Sequence, residues 1–274
     1  MKKKYLIGLD LDGTILFDFD TVNQDLINFI KRVQIEGHKV VIATGRPFRS
    51  SKFIYDYFGL DTPIINYNGG LVTHPYNLNF PKIDYILDKE IIIDIFEKTK
   101  EYIRNAFCEV KDDIYVHEEE KAIEPLLHVN NATKIAFGPF RDTLKKDPNG
   151  AIIIGKQGTG KIIKDYIDST YPNQAFCRIW RISSEYDSIL EVFTPHSNKG
   201  KALAYVANYL GFTQEEVIAI GDGHNDIEML EYAFLGVAVK DSDPELLEVA
   251  DLILDKGPKE NVVYHFLSEF LGIK

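Results

Sequence analysis

Two carboxylates one residue apart follow the first apolar run of the chain. Leu6-Ile7-Gly8-Leu9 leads directly into Asp10-Leu11-Asp12-Gly13-Thr14. An unpaired carboxylate inside a buried strand is very costly, so we expect both acids to lie at or beyond the carboxyl end of that strand. Close carboxylate oxygens favour a hard cation such as Mg²⁺, which binds one or two protein carboxylates together with a phosphate oxygen. The sequence therefore predicts a catalytic turn that holds a divalent cation.

A second acidic turn with glycines lies far along the chain. The apolar segment Val217-Ile218-Ala219-Ile220 runs into Gly221-Asp222-Gly223-His224-Asn225-Asp226. The glycines allow the backbone to turn tightly and to approach a ligand closely. We expect Asp222 and Asp226 to provide one metal ligand and one supporting carboxylate.

Two further apolar segments also end in polar loops. Lys39–Ala43 ends at Thr44-Gly45-Arg46, and Pro63–Ile65 ends at Asn66-Tyr67-Asn68-Gly69-Gly70. The first loop offers a hydroxyl and backbone N–H groups ahead of a helix. Ligands of open α/β sheets bind outside the carboxyl ends of the strands, so we expect all four loops to meet at one crevice.

The order of the elements predicts an α/β protein with an interrupted core. Strand and helix patterns alternate up to about residue 65, with helices expected over 22–35 and after Pro47. A polar stretch at 74–81 then indicates a linker, and the pattern changes to short strands with helices near 88–102 and 161–171. We predict a Rossmann-like parallel-sheet core formed by residues 1–81 and 191–274, with an inserted α/β domain at 82–190.

These motifs together resemble those of the haloacid dehalogenase superfamily, in particular the Cof-like phosphatases with a type IIB cap. The DxDGT motif corresponds to Asp10–Thr14, and the Ser or Thr that ends a strand corresponds to Thr44. The Lys that opens a helix corresponds to Lys199, and GDGxND corresponds to Gly221–Asp226. All four motifs occur in order over the whole chain, which makes the signal specific.

The resemblance implies a role for each matching residue. Asp10 would be the nucleophile that forms an aspartyl-phosphate, and Asp12 would be the general acid and then the general base. Mg²⁺ would be held by the Asp10 carboxylate, the Asp12 backbone carbonyl and Asp222. Asp226 would orient Lys199 or metal-bound waters. The residues expected to bind the phosphoryl group or the rest of the substrate are Thr44, Gly45, Arg46, Asn68, Lys199 and Asn225.

The resemblance also implies the class of substrate, and it leaves alternatives open. Small phosphorylated metabolites are expected, either sugar phosphates or phosphorylated cofactors such as pyridoxal phosphate and flavin mononucleotide. The inserted domain would contact the leaving group. A phosphomutase or phosphotransferase and a non-catalytic sugar-phosphate sensor are the alternatives, whereas a dehalogenase would need neither Asp12 nor Mg²⁺.

The composition limits which binding partners and which cellular location are expected. The chain has 274 residues, a formal net charge of -11, 45% hydrophobic residues and 27% charged residues. These values are typical of a folded, acidic protein and disfavour nucleic acid and anionic membranes as partners. Asp10 and Asp12 interrupt the N-terminal segment that resembles a secretory signal peptide. The chain has two cysteines, Cys108 and Cys177, which are too few for a disulfide framework. We expect a cytoplasmic enzyme that is a monomer or a weak homo-oligomer.

A segment in the inserted domain partly matches a nucleotide-binding P-loop. Gly155-Lys156-Gln157-Gly158-Thr159-Gly160-Lys161 is followed by Ile162, where a Walker A motif needs Ser or Thr to hold Mg²⁺. We therefore interpret the segment as a strand-to-helix loop whose glycines serve its turn geometry. A contact with an anionic substrate is the alternative.

Overall fold

The elements are defined in a computed structural model that describes residues 3–18, 20–129, 131–181 and 188–273. The strands of this described part are β1 (Leu6–Leu9), β2 (Lys39–Ile42), β3 (Ile64–Asn66), β4 (Leu71–Thr73), β5 (Ile83–Asp84), β6 (Ile103–Val110), β7 (Asp113–Val116), β8 (Lys134–Phe137), β9 (Gly150–Gly155), β10 (Phe176–Arg181), β11 (Ser188–Phe193), β12 (Val217–Gly221), β13 (Leu235–Ala238) and β14 (Leu252–Ile253). The helices are α1 (Gln24–Ile35), α2 (Phe48–Phe58), α3 (Lys89–Thr99), α4 (Glu124–Leu127), α5 (Phe140–Thr143), α6 (Gly160–Thr170), α7 (Lys199–Leu210), α8 (Ile227–Tyr232), α9 (Pro244–Val249) and α10 (Val262–Leu271). None of the helices in these ranges combines the length and the hydrophobicity that crossing a bilayer requires.

The chain divides into two compact units. The first comprises Met1–Arg46, Ser51–Ile83 and Asn198–Lys274, and the second comprises Pro47–Ser50 and Asp84–Ser197. The short piece at 47–50 belongs to the second unit because Arg49 is bound there. Its backbone N–H donates to Asp112 Oδ1 at 2.9 Å, and its buried guanidinium pairs with the carboxylate of Glu109.

A parallel sheet forms the centre of the first unit. Its strand order is β14-β13-β12-β1-β2, and every neighbouring pair is parallel. The central strands are apolar along their whole length because both faces are covered, as is usual for parallel sheets. β1 therefore has no position at which a charged side chain could remain solvated, and its first carboxylate follows the strand directly. The predicted α/β fold with a parallel sheet is confirmed.

The local sequence determines where helix α7 begins. Asn198 caps it, with its side-chain oxygen accepting a hydrogen bond from the Lys201 N–H at 2.7 Å, and Gly211 ends it at a φ of 80°. Ala202, Leu203 and the following apolar residues pack in one cluster with Leu6, Val217 and Met229. The cap and this packing fix where the first residue of the helix, Lys199, stands relative to the sheet.

The chain reverses direction after β3. Ala43 and Ile65 form a single parallel bridge, but β3 pairs antiparallel with β4 in a separate sheet of order β3-β4-β5. The reversal uses consecutive positive φ angles at Tyr67, Asn68 and Gly69. Asn and Gly adopt this conformation more readily than most residues, which explains the polar loop at the strand end. Residues 74–81, predicted as a linker, contain neither helix nor strand.

The second unit is built on a six-stranded sheet. Its order is β10-β11-β9-β6-β7-β8, and all neighbours are antiparallel except β7 and β8. One face packs against α3 and α6, which contribute residues such as Ile92, Ile95, Ile163 and Ile167 to a shared core. The region contains short strands, as predicted from its sequence, and helices α3 and α6 lie where helices near 88–102 and 161–171 were expected.

A substitution at Gly200 tests how closely α7 and α8 must pack. A Cβ at this position would lie 2.1 Å from the backbone oxygen of Glu228, which cannot move as a flexible side chain can. We expect Gly200→Ala to lower the free energy of unfolding by about 2 kcal/mol in urea titrations, since overpacking outweighs the helix propensity gained. In Gly257→Ala, a Cβ meets nothing nearer than 3.7 Å, so this control should stay within about 0.5 kcal/mol of the wild type. Equal stability of the two variants would contradict the packing argument.

Candidate active site

The turn after β1 carries the first acidic group. The Asp10 N–H donates to the Ile220 carbonyl at 3.0 Å, which extends the pairing of β1 with β12 by one residue. The chain then turns through Gly13 at a φ of 81°. A Cβ on Gly13 would lie 2.1 Å from Asp222 Oδ2, so only glycine allows the two acidic turns to approach this closely.

Lys199 lies between two carboxylates at the centre of the site. Its Nζ donates to Asp10 Oδ1 and to Asp226 Oδ1, each at 2.6 Å. The Lys199 side chain has 0% exposure, and the side chains of Asp10 and Asp226 have 7% and 0%. Residues from three distant parts of the sequence are thereby joined by one buried ammonium.

The pKa values of this group reflect burial and mutual charge. Burial disfavours the ammonium of Lys199, but Asp10 and Asp226 outweigh that effect and raise its pKa. Burial also raises the pKa of Asp10 well above its ordinary value, and the charge of Asp226 adds to this, while Lys199 opposes it. The site therefore holds more negative charge than Lys199 alone can balance.

Both carboxylate oxygens of Asp226 accept hydrogen bonds from neighbouring groups of the protein. Oδ1 accepts the bond from Lys199, and Oδ2 accepts the N–H groups of Asp222 and Gly223 at 3.1 Å and 3.0 Å. A Cβ on Gly221 would lie 2.5 Å from Asp226 Cγ, so the glycine makes room for this carboxylate. Asp226 thus shapes its own loop and positions Lys199.

Asp222, the other acid of the second turn, accepts fewer hydrogen bonds than Asp226 does. The Thr14 hydroxyl lies 3.0 Å from Asp222 Oδ1 and 3.2 Å from Asp10 Oδ2, and it can donate to one of them at a time. Burial, together with the charge of Asp226, raises the pKa of Asp222 to about 7, although bonds from Thr14 and the charge of Lys199 act against this. Thr14 belonged to the first motif, but its bridging position could not be read from the sequence.

The donor set fits a divalent cation. Oxygens of Asp10, Asp222 and Asp226 lie within 4.8 Å of one another, and Asp226 is already occupied by Lys199 and backbone amides. Asp10 and Asp222 therefore remain as carboxylate ligands, and burial, followed by the charge of Asp226, raises the pKa of both. Hard oxygen ligands of this kind suit Mg²⁺.

Arg46 orients the second carboxylate of the first motif. Its Nε donates to Asp12 Oδ2 at 2.8 Å, and its Nη2 donates to Asp12 Oδ1 at 2.5 Å. The Arg46 side chain is 6% exposed, whereas that of Asp12 is 51% exposed, so a buried guanidinium holds an acid that faces solvent. The planar fork fixes both oxygens of Asp12. Sequence reasoning assigned Arg46 to the substrate and did not find this pairing.

The remaining predicted residues gather in neighbouring loops. The Thr44 hydroxyl accepts the Arg46 N–H at 3.1 Å, and the Thr44 carbonyl accepts the Asn68 N–H at 3.1 Å. Asn225 donates to Asn68 Oδ1 at 2.8 Å, and a Cβ on Gly45 would lie 3.2 Å from the same oxygen. In the described part of the chain no hydrogen bond joins Thr44 to Asp10 or Lys199.

The glycine-containing segment of the second unit connects β9 to α6, as interpreted from its sequence. A Cβ on Gly155 or on Gly160 would lie 2.7 Å or 2.3 Å from the hydroxyl of Ser188, which is buried. Gly158 turns at a φ of 74°. The glycines thus serve close packing and turn geometry.

Comparison with known proteins identifies relatives over nearly the whole chain. The sequence model of the haloacid dehalogenase-like hydrolases matches residues 7–267. A Bacillus subtilis protein named 5-amino-6-(5-phospho-D-ribitylamino)uracil phosphatase is 31% identical over 272 residues, which cover 99% of each chain. A phosphoglycolate phosphatase of Methanopyrus kandleri is 28% identical over 257 residues, covering 94% of this chain and 93% of its own.

Solved structures share the fold. A haloacid dehalogenase-like hydrolase from Bacteroides thetaiotaomicron superposes with a TM-score of 0.82 at 23% identity, covering 98% of this chain and 100% of the other. A sugar phosphatase of subclass IIB of the same superfamily gives a TM-score of 0.77 at 20% identity, covering 97% of this chain and 99% of the other. The similarity to the subclass IIB fold extends over both units.

Removal of the buried ammonium should cost stability in a pH-dependent way. Lys199→Met leaves Asp10 and Asp226 without their shared cation, so we expect a loss of about 3–5 kcal/mol at a pH near 8 in metal-free urea titrations. The loss should shrink near pH 5, because acids with a raised pKa take up protons there and no longer need the cation. Lys201→Met, an exposed position on the same helix, should have little effect at either pH. A loss independent of pH would contradict the electrostatic account.

Binding of Mg²⁺ should displace protons from the site. Asp222 has a pKa of about 7, and only the ionised carboxylate is a good ligand. We expect the affinity for Mg²⁺ to rise between about pH 6 and about pH 8, because Asp222 ionises over this range. Calorimetry in buffers of different ionisation enthalpy measures the protons released, which should be more numerous at the lower pH. Asp165→Asn, a surface change, should leave the profile unchanged, whereas a flat wild-type profile would refute the prediction.

Proposed function

This chain belongs to the haloacid dehalogenase-like hydrolases, and we propose that it is a Mg²⁺-dependent phosphatase that acts on small phosphate monoesters through an aspartyl-phosphate at Asp10. Its named relatives are phosphatases. The observation that carries the proposal is the buried arrangement of Asp10, Lys199 and Asp222, in which one nucleophilic carboxylate is flanked by a fixed ammonium and a second acid.

Asp10 is the proposed nucleophile because one of its oxygens is held and the other can react. Lys199 binds Oδ1, which leaves Oδ2 beside Asp222. Attack of Oδ2 on phosphorus forms the Asp10–phosphate bond and breaks the bond between phosphorus and the ester oxygen. Lys199 would also reduce the charge on the phosphoryl oxygens, since phosphoryl transfer depends mainly on positioning and electrostatic stabilisation.

Asp12 is the proposed acid and base. It gives its proton to the departing ester oxygen, and it then takes a proton from the water that attacks the phosphorus of the aspartyl-phosphate. That second step breaks the Asp10–phosphate bond and releases inorganic phosphate. Arg46 acts as a positioning residue, since its two bonds set where the Asp12 carboxylate points.

Mg²⁺ would be held by the Asp10 carboxylate, the Asp12 backbone carbonyl and Asp222. When bound, it would neutralise the carboxylates and polarise the phosphoryl group. Thr14 would keep Asp10 and Asp222 in register through its shared hydroxyl. Thr44, Gly45, Asn68 and Asn225 would line the phosphate-binding side, because their loops are joined by mutual hydrogen bonds.

The relatives suggest where to search for the substrate. One is named for the phosphate ester of a ribitylamino-uracil and another for phosphoglycolate, so both large and small leaving groups occur among them. We propose that the inserted domain, expected at 82–190, acts as the cap that contributes to substrate choice. The second unit, which includes Asp84–Ser197, has its own core and would supply that surface.

A panel of phosphorylated metabolites tests the chemistry directly. We expect phosphate release that requires Mg²⁺ and is lost by at least about a thousandfold in Asp10→Asn, because no carboxylate nucleophile remains. Asp12→Asn should still be phosphorylated by p-nitrophenyl phosphate, whose leaving group needs little protonation. It should then hydrolyse slowly, so that mass spectrometry detects the phosphorylated protein.

Asp20→Asn, an exposed acid beyond the same turn, is the matched control and should retain activity. Phosphate release by Asp10→Asn at the wild-type rate would exclude the proposed nucleophile. Failure of the wild type to hydrolyse any ester in the presence of Mg²⁺ would exclude the function.

A further inference from the structure

Helix α2 begins with a cap that comes from far along the chain. Its first residue is Phe48, and the residue before it, Pro47, has no side-chain oxygen. The first N–H groups of a helix have no partner within the helix, and a nearby Asp, Asn, Ser or Thr often accepts one of them. Here the Arg49 N–H donates to Asp112 Oδ1 at 2.9 Å. Residues 47–50, called the anchored segment below, belong to the second unit, as Asp112 does.

The side chain of Arg49 is bound as closely as its backbone. Its guanidinium group is almost fully buried and pairs with the carboxylate of Glu109, which is also largely buried. It also donates to three backbone carbonyls of the second unit, those of Lys111 at 3.3 Å, Leu127 at 3.0 Å and His128 at 3.3 Å. Charge and hydrogen bonds together therefore fix the anchored segment to the second unit.

The pair of Arg49 and Glu109 is a buried ion pair that the proposed catalytic steps do not use. Such a pair adds little net stability, because the cost of taking two charges out of water offsets much of their attraction. Burial raises the pKa of Glu109, and the charge of Arg49 acts against this. The effect that remains is geometric, since a planar guanidinium with several fixed acceptors defines where its own backbone lies.

Arg46 immediately precedes the anchored segment. Its backbone is bonded in the first unit, where its N–H donates to Thr44 Oγ1 at 3.1 Å and its carbonyl accepts the Asn66 side-chain N–H at 2.9 Å. Pro47 restricts its own φ and the backbone of the residue before it, so the link from Arg46 into the anchored segment is stiff. Arg46 therefore lies between two anchors. A shift of the second anchor would move the backbone from which its guanidinium reaches Asp12.

We propose that Arg49, Glu109 and Asp112 are positioning residues for the proposed acid Asp12. The inference rests on the proposed function, which gives Asp12 that role. These groups of the second unit fix the anchored segment, and the segment sets the Arg46 guanidinium that orients the Asp12 carboxylate. The inserted domain thereby acts on proton transfer to the leaving group, in addition to its proposed part in substrate choice.

The proposal separates two steps that the site performs on the ester. The nucleophile Asp10 is oriented by Lys199, a residue of the first unit, and does not depend on the anchored segment. Protonation of the departing oxygen depends on Asp12, whose position is set through Arg46. Loosening the anchored segment should therefore slow esters that need an acid, and it should spare esters that do not.

Two aryl esters of nearly equal shape distinguish these effects. The leaving group of p-nitrophenyl phosphate needs little protonation, whereas phenyl phosphate releases a more basic oxygen and depends more on the acid. The quantity to measure is kcat/KM of the full chain with Mg²⁺. It reports the steps up to formation of the aspartyl-phosphate and excludes the later hydrolysis, in which Asp12 acts again.

Asp112→Ala removes the acceptor of the Arg49 N–H and leaves the buried ion pair intact. We expect kcat/KM for phenyl phosphate to fall about tenfold and that for p-nitrophenyl phosphate to change less than about twofold, since a misplaced acid costs rate only where an acid is needed. Asp112→Asn keeps an oxygen that can accept the same bond, so it should restore most of the loss. Asp142→Ala, an exposed acid of the same unit, should leave both values unchanged.

A double variant tests the ion pair without leaving a buried charge unpaired. Arg49→Met combined with Glu109→Gln should fold, and it should lower kcat/KM for phenyl phosphate by at least about tenfold more than that for p-nitrophenyl phosphate. Arg141→Met combined with Glu97→Gln removes an exposed ion pair of the same unit and should change neither value. Circular dichroism identifies which variants are folded, and the folded ones decide.

The outcomes separate this inference from the proposed function. A selective loss on phenyl phosphate that Asp112→Asn restores supports the positioning role. Equal losses on both esters, no loss on either, a loss that Asp112→Asn does not restore, or a wild type that hydrolyses p-nitrophenyl phosphate but not phenyl phosphate overturns the inference while the phosphatase function stands. A wild type that hydrolyses neither ester with Mg²⁺ overturns both.

Discussion

The buried ammonium of Lys199 is the interaction on which the candidate site depends. It joins the turn after β1 to the turn after β12 and to the first residue of α7, in a place that water does not reach. Three carboxylates lie around one ammonium there, so two formal negative charges remain when all three are ionised. The proposed divalent cation would balance them, and burial makes that balance more important than it would be in water.

The close approach of these turns depends on glycines at particular points. Gly13, Gly200 and Gly221 each face an atom within 2.5 Å of where a Cβ would be, namely Asp222 Oδ2, the Glu228 carbonyl oxygen and Asp226 Cγ. In each case the backbone of the glycine packs directly against the named atom. At Gly13 and Gly221 the absence of a side chain lets charged groups come within hydrogen-bonding distance. The acidic motifs therefore need glycine at these positions.

Much of this arrangement could be predicted from the sequence because it is encoded locally. Apolar runs that end in acids and glycine identify parallel strands and place Asp10 and Asp222 at the same edge, and the Asn198 cap marks the start of α7. The pairing of Arg46 with Asp12, the shared hydroxyl of Thr14 and the reversal after β3 could not be predicted. They depend on which distant side chains meet, and no local periodicity carries that information. Gly155 and Gly160 show the converse: a segment that looks like a phosphate loop has its glycines explained by the Ser188 hydroxyl packed against them.

The chemistry of such a site and the choice of substrate have different physical origins. The groups around Asp10 are buried and mutually bonded, so a substitution there disturbs several charges at once and little variation is tolerated. Asp12 differs from these groups, because its side chain is 51% exposed and is held from one side by the buried guanidinium of Arg46. Under the proposed function, an ester oxygen that is aligned with Asp12 gains reaction rate, because binding energy spent on positioning lowers the barrier to transfer.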